Sequence, residues 1–396
     1  MKRSIKLAVA AAVALTATSA FATNGDNLIG TGAKARGMGG IGIGMSHGAE
    51  SALSNPALIS SVKGTEVSFG GTIFMPDVES NVNMGNGYLK SDADLSVIPE
   101  VAIAQKASDN FYWGIGMFGT AGMGVDYRAN SNAAGNYEMV SNLQLMQFAL
   151  PLAYASNGLS VAIAPVMQYG SLDINYDDGV NPCTTQGVAQ DFGFGYTLGA
   201  AYTMDALTVG AVYKSAIDML YKGQISRAAS DFHMTPNKYG DHLEQPAEYG
   251  IGASYTTAGH TFAVDYKRID WSGAKGYKDF GWDDQDVYIL GYQFAQDNWA
   301  LRLGYNHSKS PIKEMPATAT DYSPINMFNL LTFPGIVEDH YTVGGSYAFS
   351  KMTSLDLAYA YADETKEDFA APGYTGGRIQ TKHSQHAVSA QLNFNF

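Results

Sequence analysis

Eight histidines, one cysteine and a knot of aspartates are the side chains here best suited to metal binding or nucleophilic chemistry. Cys183 stands alone, so it can form neither an internal disulfide nor a thiolate metal site. The histidines are His47, His233, His242, His260, His307, His340, His383 and His386. None has metal-ligand spacing: His383 and His386 point to opposite faces of a strand, and His233 and His242 fall in one expected loop. No Ser/His/Asp arrangement offers a nucleophile with its base and orienting group, so no catalytic residue, metal or cofactor is assigned. Asp283, Asp284 and Asp286 could hold a calcium ion with their hard oxygens, or form a solvated loop. Gly37-Met38-Gly39-Gly40-Ile41-Gly42 has the spacing of a dinucleotide fingerprint, but that chemistry needs a βαβ unit, and no such pattern surrounds it. Glycine-rich backbone turning tightly in a confined space is the expected role.

The remaining chemistry is apolar, and the elements that position it are strands. The chain opens with Lys2, Arg3 and Lys6, an apolar stretch from Leu7 to Ala17, and Ala20-Phe21-Ala22. That is the pattern of a secretory signal peptide over residues 1–22, with Thr23 expected as the first mature residue. Without those three cations, 21 Lys+Arg face 37 Asp+Glu, a net charge of −16. So acidic a chain repels phosphate backbones, which excludes nucleic acid as a partner. Beyond residue 22 no apolar run is long enough for a transmembrane helix. Charged residues make up only 15%, while Tyr (25), Phe (18) and Gly (44) are abundant, a balance that suits a transmembrane barrel.

Period-two alternation recurs along the chain. In Trp299 to Tyr305 one face is Trp, Leu, Leu, Tyr and the other Ala, Arg, Gly; Tyr341 to Phe349, Leu355 to Tyr361 and Val388 to Phe396 repeat the pattern. The expected fold is all-β: a transmembrane antiparallel β-barrel of about fourteen strands, over roughly 64–78, 93–106, 109–124, 138–155, 158–175, 190–204, 206–225, 246–257, 260–274, 285–295, 298–310, 337–349, 353–367 and 381–396. Short turns such as Ser156-Asn157 and Ala258-Gly259 alternate with long loops at 176–189, 226–245, 311–336 and 368–380. This is the asymmetry of periplasmic turns opposite extracellular loops. Residues 23–63 do not read as strand; they are either a periplasmic tail or a hatch folded inside the lumen, with 64–396 as the barrel.

Asn55-Pro56-Ala57-Leu58-Ile59, with Lys34, Arg36 and Gly37 upstream, resembles the amino-terminal hatch of FadL-type outer-membrane transporters. Tyr112 to Gly122 is similar to the family's kinked third strand, and Gln245 to Tyr249, Asp297 to Tyr305, Ser310 to Ile312 and Glu338 to Tyr341 match in order and spacing. The resemblance implies a bacterial outer-membrane channel for passive uptake of long-chain fatty acids or aromatic hydrocarbons. It also implies a hatch in the lumen and lateral release through a gap at the third strand. The loop at 176–189 looks shorter, and that at 311–336 longer, than in fatty-acid members, which leaves the ligand class open. Expected partners are the hydrophobic ligand, outer-membrane lipid and lipopolysaccharide, and the assembly machinery that reads a terminal aromatic such as Phe396; a monomer is expected.

By alternation Phe74, Ile98 and Phe118 point inward, where they could line a ligand pocket or pack on hatch residues Leu28, Ile29 and Leu53. Burying one methylene is worth about 0.8 kcal/mol, so either use is rewarded. Gly116, Gly119, Gly122 and Gly124 mark either a break that opens a lateral window or room beside a bulky hatch. Lys34 and Arg36 could meet a ligand carboxylate or tie the hatch to Glu100. Met327, Phe328, Leu330, Leu331 and Phe333 form an apolar run in an expected external loop, suited to ligand capture or to a strand inside the membrane. The alternatives to hydrophobic uptake are a general or polar-solute porin and a lipid-modifying barrel enzyme.

Overall fold

The computed structural model describes residues 23–81, 87–129, 137–177 and 187–396; Cys183 lies outside them. Fourteen antiparallel strands close into a barrel: β1 (Thr65–Asn81), β2 (Ser96–Lys106), β3 (Phe111–Asp126), β4 in two pieces (Val140–Ala149 and Leu152–Ser156), β5 (Leu159–Asn175), β6 (Ala189–Met204), β7 (Leu207–Lys214), β8 (Glu248–Thr257), β9 (His260–Ile269), β10 (Gln285–Gln296), β11 (Trp299–Ser308), β12 (Asp339–Ala348), β13 (Thr353–Ala370) and β14 (Arg378–Asn395). Each pairs with its sequence neighbour, and β14 pairs with β1 from Gln380↔Asn81 to Asn395↔Glu66. Closure leaves no sheet edge, the condition for β-structure in lipid.

Alternation sets the two faces. Phe69, Ile73, Ile163, Leu198, Ile251, Phe262, Val264, Leu290, Leu301, Leu303 and Leu357 lie exposed on the outside. On a water-soluble protein so large an apolar surface would aggregate; in a bilayer it is the solvated face. Tyrosines pair along one rim (Tyr213↔Tyr249, Tyr266↔Tyr288, Tyr305↔Tyr341, Tyr341↔Tyr361) and form the girdle at the outer interface. At the opposite rim the turns are tight. Asn157 and Gly158, like Ala258 and Gly259, both have positive φ, as two-residue turns that match strand twist require.

Two expected strands are too long. The one read at 206–225 stops at Lys214, and the one at 260–274 stops at Ile269. Past Lys214 the chain turns inward and makes isolated bridges, Ile217↔Gln245 and Leu220↔His242. Ile217 and Met219 are buried against the inner face of β6 and Tyr221 against Gly170 of β5, so the period-two signal there belongs to a ribbon inside the barrel rather than to the wall. The loop at 311–336 also differs from both sequence readings. It is neither an exposed loop nor a strand, but holds a helix, α4 (Tyr322–Thr332), preceded in chain order by α1 (Gly32–Arg36), α2 (Ser51–Ser54) and α3 (Ile225–Asp231).

The hatch occupies the lumen. Its glycines allow backbone to lie directly on the wall: a Cβ at Gly44 would collide with the Ala253 nitrogen, and one at Gly40, where φ is +99°, would collide with the Ile29 carbonyl oxygen. Consecutive N–H groups of Gly42, Ile43 and Gly44 donate to the Asp265 carboxylate of β9 at 2.8, 2.8 and 3.1 Å. Replacing that carboxylate strands three buried donors, so Asp265→Ala is expected to loosen the hatch by about 2–4 kcal/mol. Hydrogen exchange would report it as faster exchange at residues 42–44, with the barrel strands unchanged.

Candidate functional site

The lower hatch is bolted to the wall by charge and hydrogen bonds. Arg36 donates to Thr72 Oγ1 at 2.7 Å and pairs with Glu100, both partners buried. Lys34 pairs with Glu50 at 3.2 Å and lies 3.8 Å from both Glu66 and Asp356. Lys34 and Arg36 are therefore both engaged by protein carboxylates. Asn55 caps the 3₁₀ turn Pro56–Ser61 by accepting from the Ala57 N–H, while its Nδ2 donates to the carbonyls of Ile43 and Ala200. The carbonyl of Ala57 accepts from Ser160 Oγ at 2.7 Å. Gly37 lies with its Cα against Gly344 of β12.

The first residues of the hatch make a different set of contacts, at a break in the wall. Pairing of β2 with β3 ends at Glu100↔Phe118. Above that level Ser96 to Pro99 of β2 pair only with β1, and Pro99 has no N–H to offer. The β3–β4 register shifts between Gly119 and Ala121, leaving Thr120 as a bulge. Among the described residues, backbone hydrogen bonding between the two sides resumes where the Asp92 N–H donates to the Asp126 carbonyl at 2.8 Å. The window so bounded is filled from inside. Asn27 pairs with Ala121, the Gly122 N–H donates to the Asp26 carbonyl at 3.1 Å, and the Ile98 side chain occupies the space a Cβ on Gly119 would need. Gly116 gives room to the Phe118 ring and lies near Ala52, and Gly124 pairs with Asn142. Gly119 and Gly122 thus lie at the break, whereas Gly116 makes room for a neighbouring side chain.

Asp26 and Asn27 reach three ways. The Asp26 carboxylate accepts from the buried Tyr277 hydroxyl, Asn27 Nδ2 donates to Glu248 at 3.2 Å, and Asn27 Oδ1 accepts from Gln245. Above them is a small apolar pocket, with room for little more than one water, walled by Met123, Leu243, Tyr277, Trp282, Phe328 and Phe333, with no ionisable lining group but the Tyr277 hydroxyl. Below and beside them is a larger cavity between the hatch and the wall, lined by Leu28, Ile29 and Leu53 on the hatch side and by Thr120, Lys214, Glu248 and Lys267 on the wall. Burial pushes the Asp26 carboxyl up to about 7, against hydrogen bonds from Tyr277 and Gln245 that pull it down.

The lid over the upper chamber is α4. Met327, Phe328, Leu330, Leu331 and Phe333 are all buried, so the run read as an outer capture surface faces inward. Phe328 stacks on Phe280 at 5.1 Å, Trp282 Nε1 donates to Asn329 Oδ1 at 3.3 Å, and Thr381 Oγ1 donates to the Leu330 carbonyl at 2.9 Å. The six residues read as a pocket divide: Phe74 and Ile98 pack with Leu28 and Ile29 in one cluster, while Phe118 and Leu53 join the main core. The hatch members Leu28, Ile29 and Leu53 line the cavity between hatch and wall. The chamber aromatics Tyr277, Phe280 and Trp282 went unread in the sequence, although their density in a stretch between strands was the available signal. The surface aspartates are engaged: Asp284 and Asp286 pair with Arg268 at 2.8 and 2.9 Å, and Asp283 pairs with Lys313.

A family model described as outer membrane protein transport protein (OMPP1/FadL/TodX) matches residues 8–396. A 47 kDa outer membrane protein of Pasteurella multocida is 22% identical over 404 residues, covering 90% of this chain and 92% of that one. Among solved structures, a Pseudomonas aeruginosa FadL homologue superposes with a TM-score of 0.71 at 14% identity, covering 94% of this chain and all of its own. The Pseudomonas putida toluene transporter TodX gives 0.69 at 18% identity, covering 93% and 99%. A match along nearly the whole chain, on a closed barrel with a filled lumen, places the protein in the OMPP1/FadL/TodX family of bacterial outer-membrane transport proteins.

Proposed function

We propose that the chain takes up small, neutral hydrophobic molecules, aromatic hydrocarbons in preference to long-chain carboxylates, and releases them sideways at β3. The observation that carries this is the bounded window between β2 and β3, closed only by the Asp26-Asn27 peptide and the Ile98 side chain. A ligand rests under α4 by parting Tyr277, Trp282, Phe328 and Phe333, whose rings favour an aromatic guest and among which nothing balances an ionised head. Arg36 and Lys34 hold Glu100 and Glu50 instead of a ligand. Displacement of Asp26-Asn27 joins the upper chamber to the hatch cavity, and Thr120 at the bulge lies on the cavity wall. Toluene is the named cargo of one structurally similar protein, which agrees with this choice. A polar-solute porin would need a wide hydrated lumen, and here hatch and lid fill it.

Deleting Thr120 removes the bulge and lets β3 run in register. Uptake of radiolabelled toluene by whole cells is expected to fall at least tenfold, while binding to purified protein persists; undiminished uptake by a folded deletion protein would overturn lateral release. Laurate uptake, assayed in parallel, is expected to be weak throughout. On the same reading the leader is removed between Ala22 and Thr23, and sequencing of outer-membrane protein should begin at Thr23.

The seat of Asp26 is pH-sensitive in a definite direction. A folded carboxyl near 7 against an ordinary value of 3.8 means the seated segment binds a proton that the released one does not. Seating is therefore strongest when acid, weakens as pH rises from about 4 to about 7, and levels above that. Hydrogen exchange of residues 23–31, corrected for intrinsic rates, should show more opening at about pH 8 than at about pH 5; Asp26→Asn should flatten that difference.

A further inference from the structure

The wall has a second discontinuity, and nothing in the β3 reading requires it. Thr197 to Met204 of β6 pair with β7, whereas Ala189 to Tyr196 pair only with β5 among the described residues. Where β7 should continue, Ser215 makes a last pair of hydrogen bonds with Tyr196. The chain then dives inward as the ribbon of 215–221 and 242–247, whose Ile217 and Met219 back Gly193 and Gly195 from inside, and the next hydrogen bond to the β6 edge is the Leu220 N–H to Asp191 Oδ2, at 2.8 Å. The β6 edge between them is left without a strand partner at the level of the outer tyrosine girdle, since Tyr196, Tyr213 and Tyr249 all face outward. Phe192 and Phe194, beside this edge, are 56% and 73% exposed.

The hatch cavity reaches this place. Its lining includes Tyr196, Ser215, Pro246 and Tyr249 at the gap, and Leu28, Ile29 and Thr120 deeper in. Two lysines stand just inside, but both are matched: Lys214 and Lys267 lie 3.5 and 3.6 Å from Glu248, and Asp265 stands near them. Two cations against two carboxylates leave no net charge to draw in an ionised head, so the passage suits an uncharged guest. We infer that this gap is a second lateral portal, through which neutral hydrophobic molecules dissolved in the outer half of the membrane enter the hatch cavity without passing the lid.

The test uses the outer-membrane protein in lipid vesicles, with Cys183→Ser and one new thiol, Ile29→Cys, inside the cavity. The probe is N-(1-pyrenyl)maleimide dissolved in the vesicle bilayer. Ser215→Trp and, separately, Pro246→Trp fill the gap; heat-dependent gel mobility verifies that each variant is folded, and either one suffices if the other misfolds. Labelling of the introduced thiol is expected to slow at least tenfold in a folded gap variant and to stay within twofold when Thr120 is deleted. An unchanged rate in a folded gap variant overturns the portal. Slowing confined to the Thr120 deletion does so as well, while leaving release at β3 intact.

Discussion

Lipid offers no hydrogen bonds, and that constraint governs this molecule. Each backbone N–H and carbonyl at membrane depth must find a partner inside the protein. Fourteen strands closed on themselves meet the demand almost everywhere. Where β3 leaves β2 they do not, and the hatch supplies what the strand lost: Asn27 pairs with Ala121, and the Asp26 carbonyl takes the Gly122 N–H. The plug is thus part of the wall at one point, and whatever unseats that dipeptide opens the wall.

The hatch is not uniform in strength. Residues 32–61 carry Arg36 on Glu100, Lys34 among three carboxylates, and the three N–H groups on Asp265. Removing one partner of a buried ion pair costs about 3–5 kcal/mol, so expelling this part whole would break several such contacts at once. Residues 23–31 hold on by hydrogen bonds, several of them through side-chain amides such as Gln385 to the Thr23 N–H and Gln245 to Asn27. Motion confined to the first nine residues is the cheaper change, and it is the one that reaches the window. The partly neutral carboxyl of Asp26 belongs to this weaker section.

Strand count, order and the hatch were legible because a barrel wall must alternate, and alternation survives in sequence. Reading failed where period two continued off the wall. Ile217, Met219 and Tyr221 alternate as a strand does, yet they pack inside the barrel on glycines of β5 and β6. The helix at 322–332 was hidden for a related reason: its polar residues Ser323, Asn326, Asn329 and Thr332 are buried with the apolar ones, so no charged, solvent-facing stripe marks its period. Gly119 was readable as a breach, but Pro99, which withholds the facing donor, was the stronger mark and was passed over. Cavity residues were least legible, because ring-rich loop segments such as Tyr277 to Trp282 become a chamber only when three loops meet.

The proposed sideways exit agrees with what hydrophobic burial does to release. At about 0.8 kcal/mol per methylene, a guest with seven buried carbons gains roughly 5–6 kcal/mol on leaving water. Discharging it into the periplasm would return that whole sum as a barrier, a factor of roughly 10⁴ in rate. Discharging it into lipid returns almost nothing, since one apolar surrounding replaces another. A tight apolar chamber and fast passive transport are therefore compatible only if the door faces the bilayer. Both discontinuities in this wall face it: one beside Thr120 and closed by the Asp26-Asn27 peptide, the other beside Ser215 and lined by tyrosines.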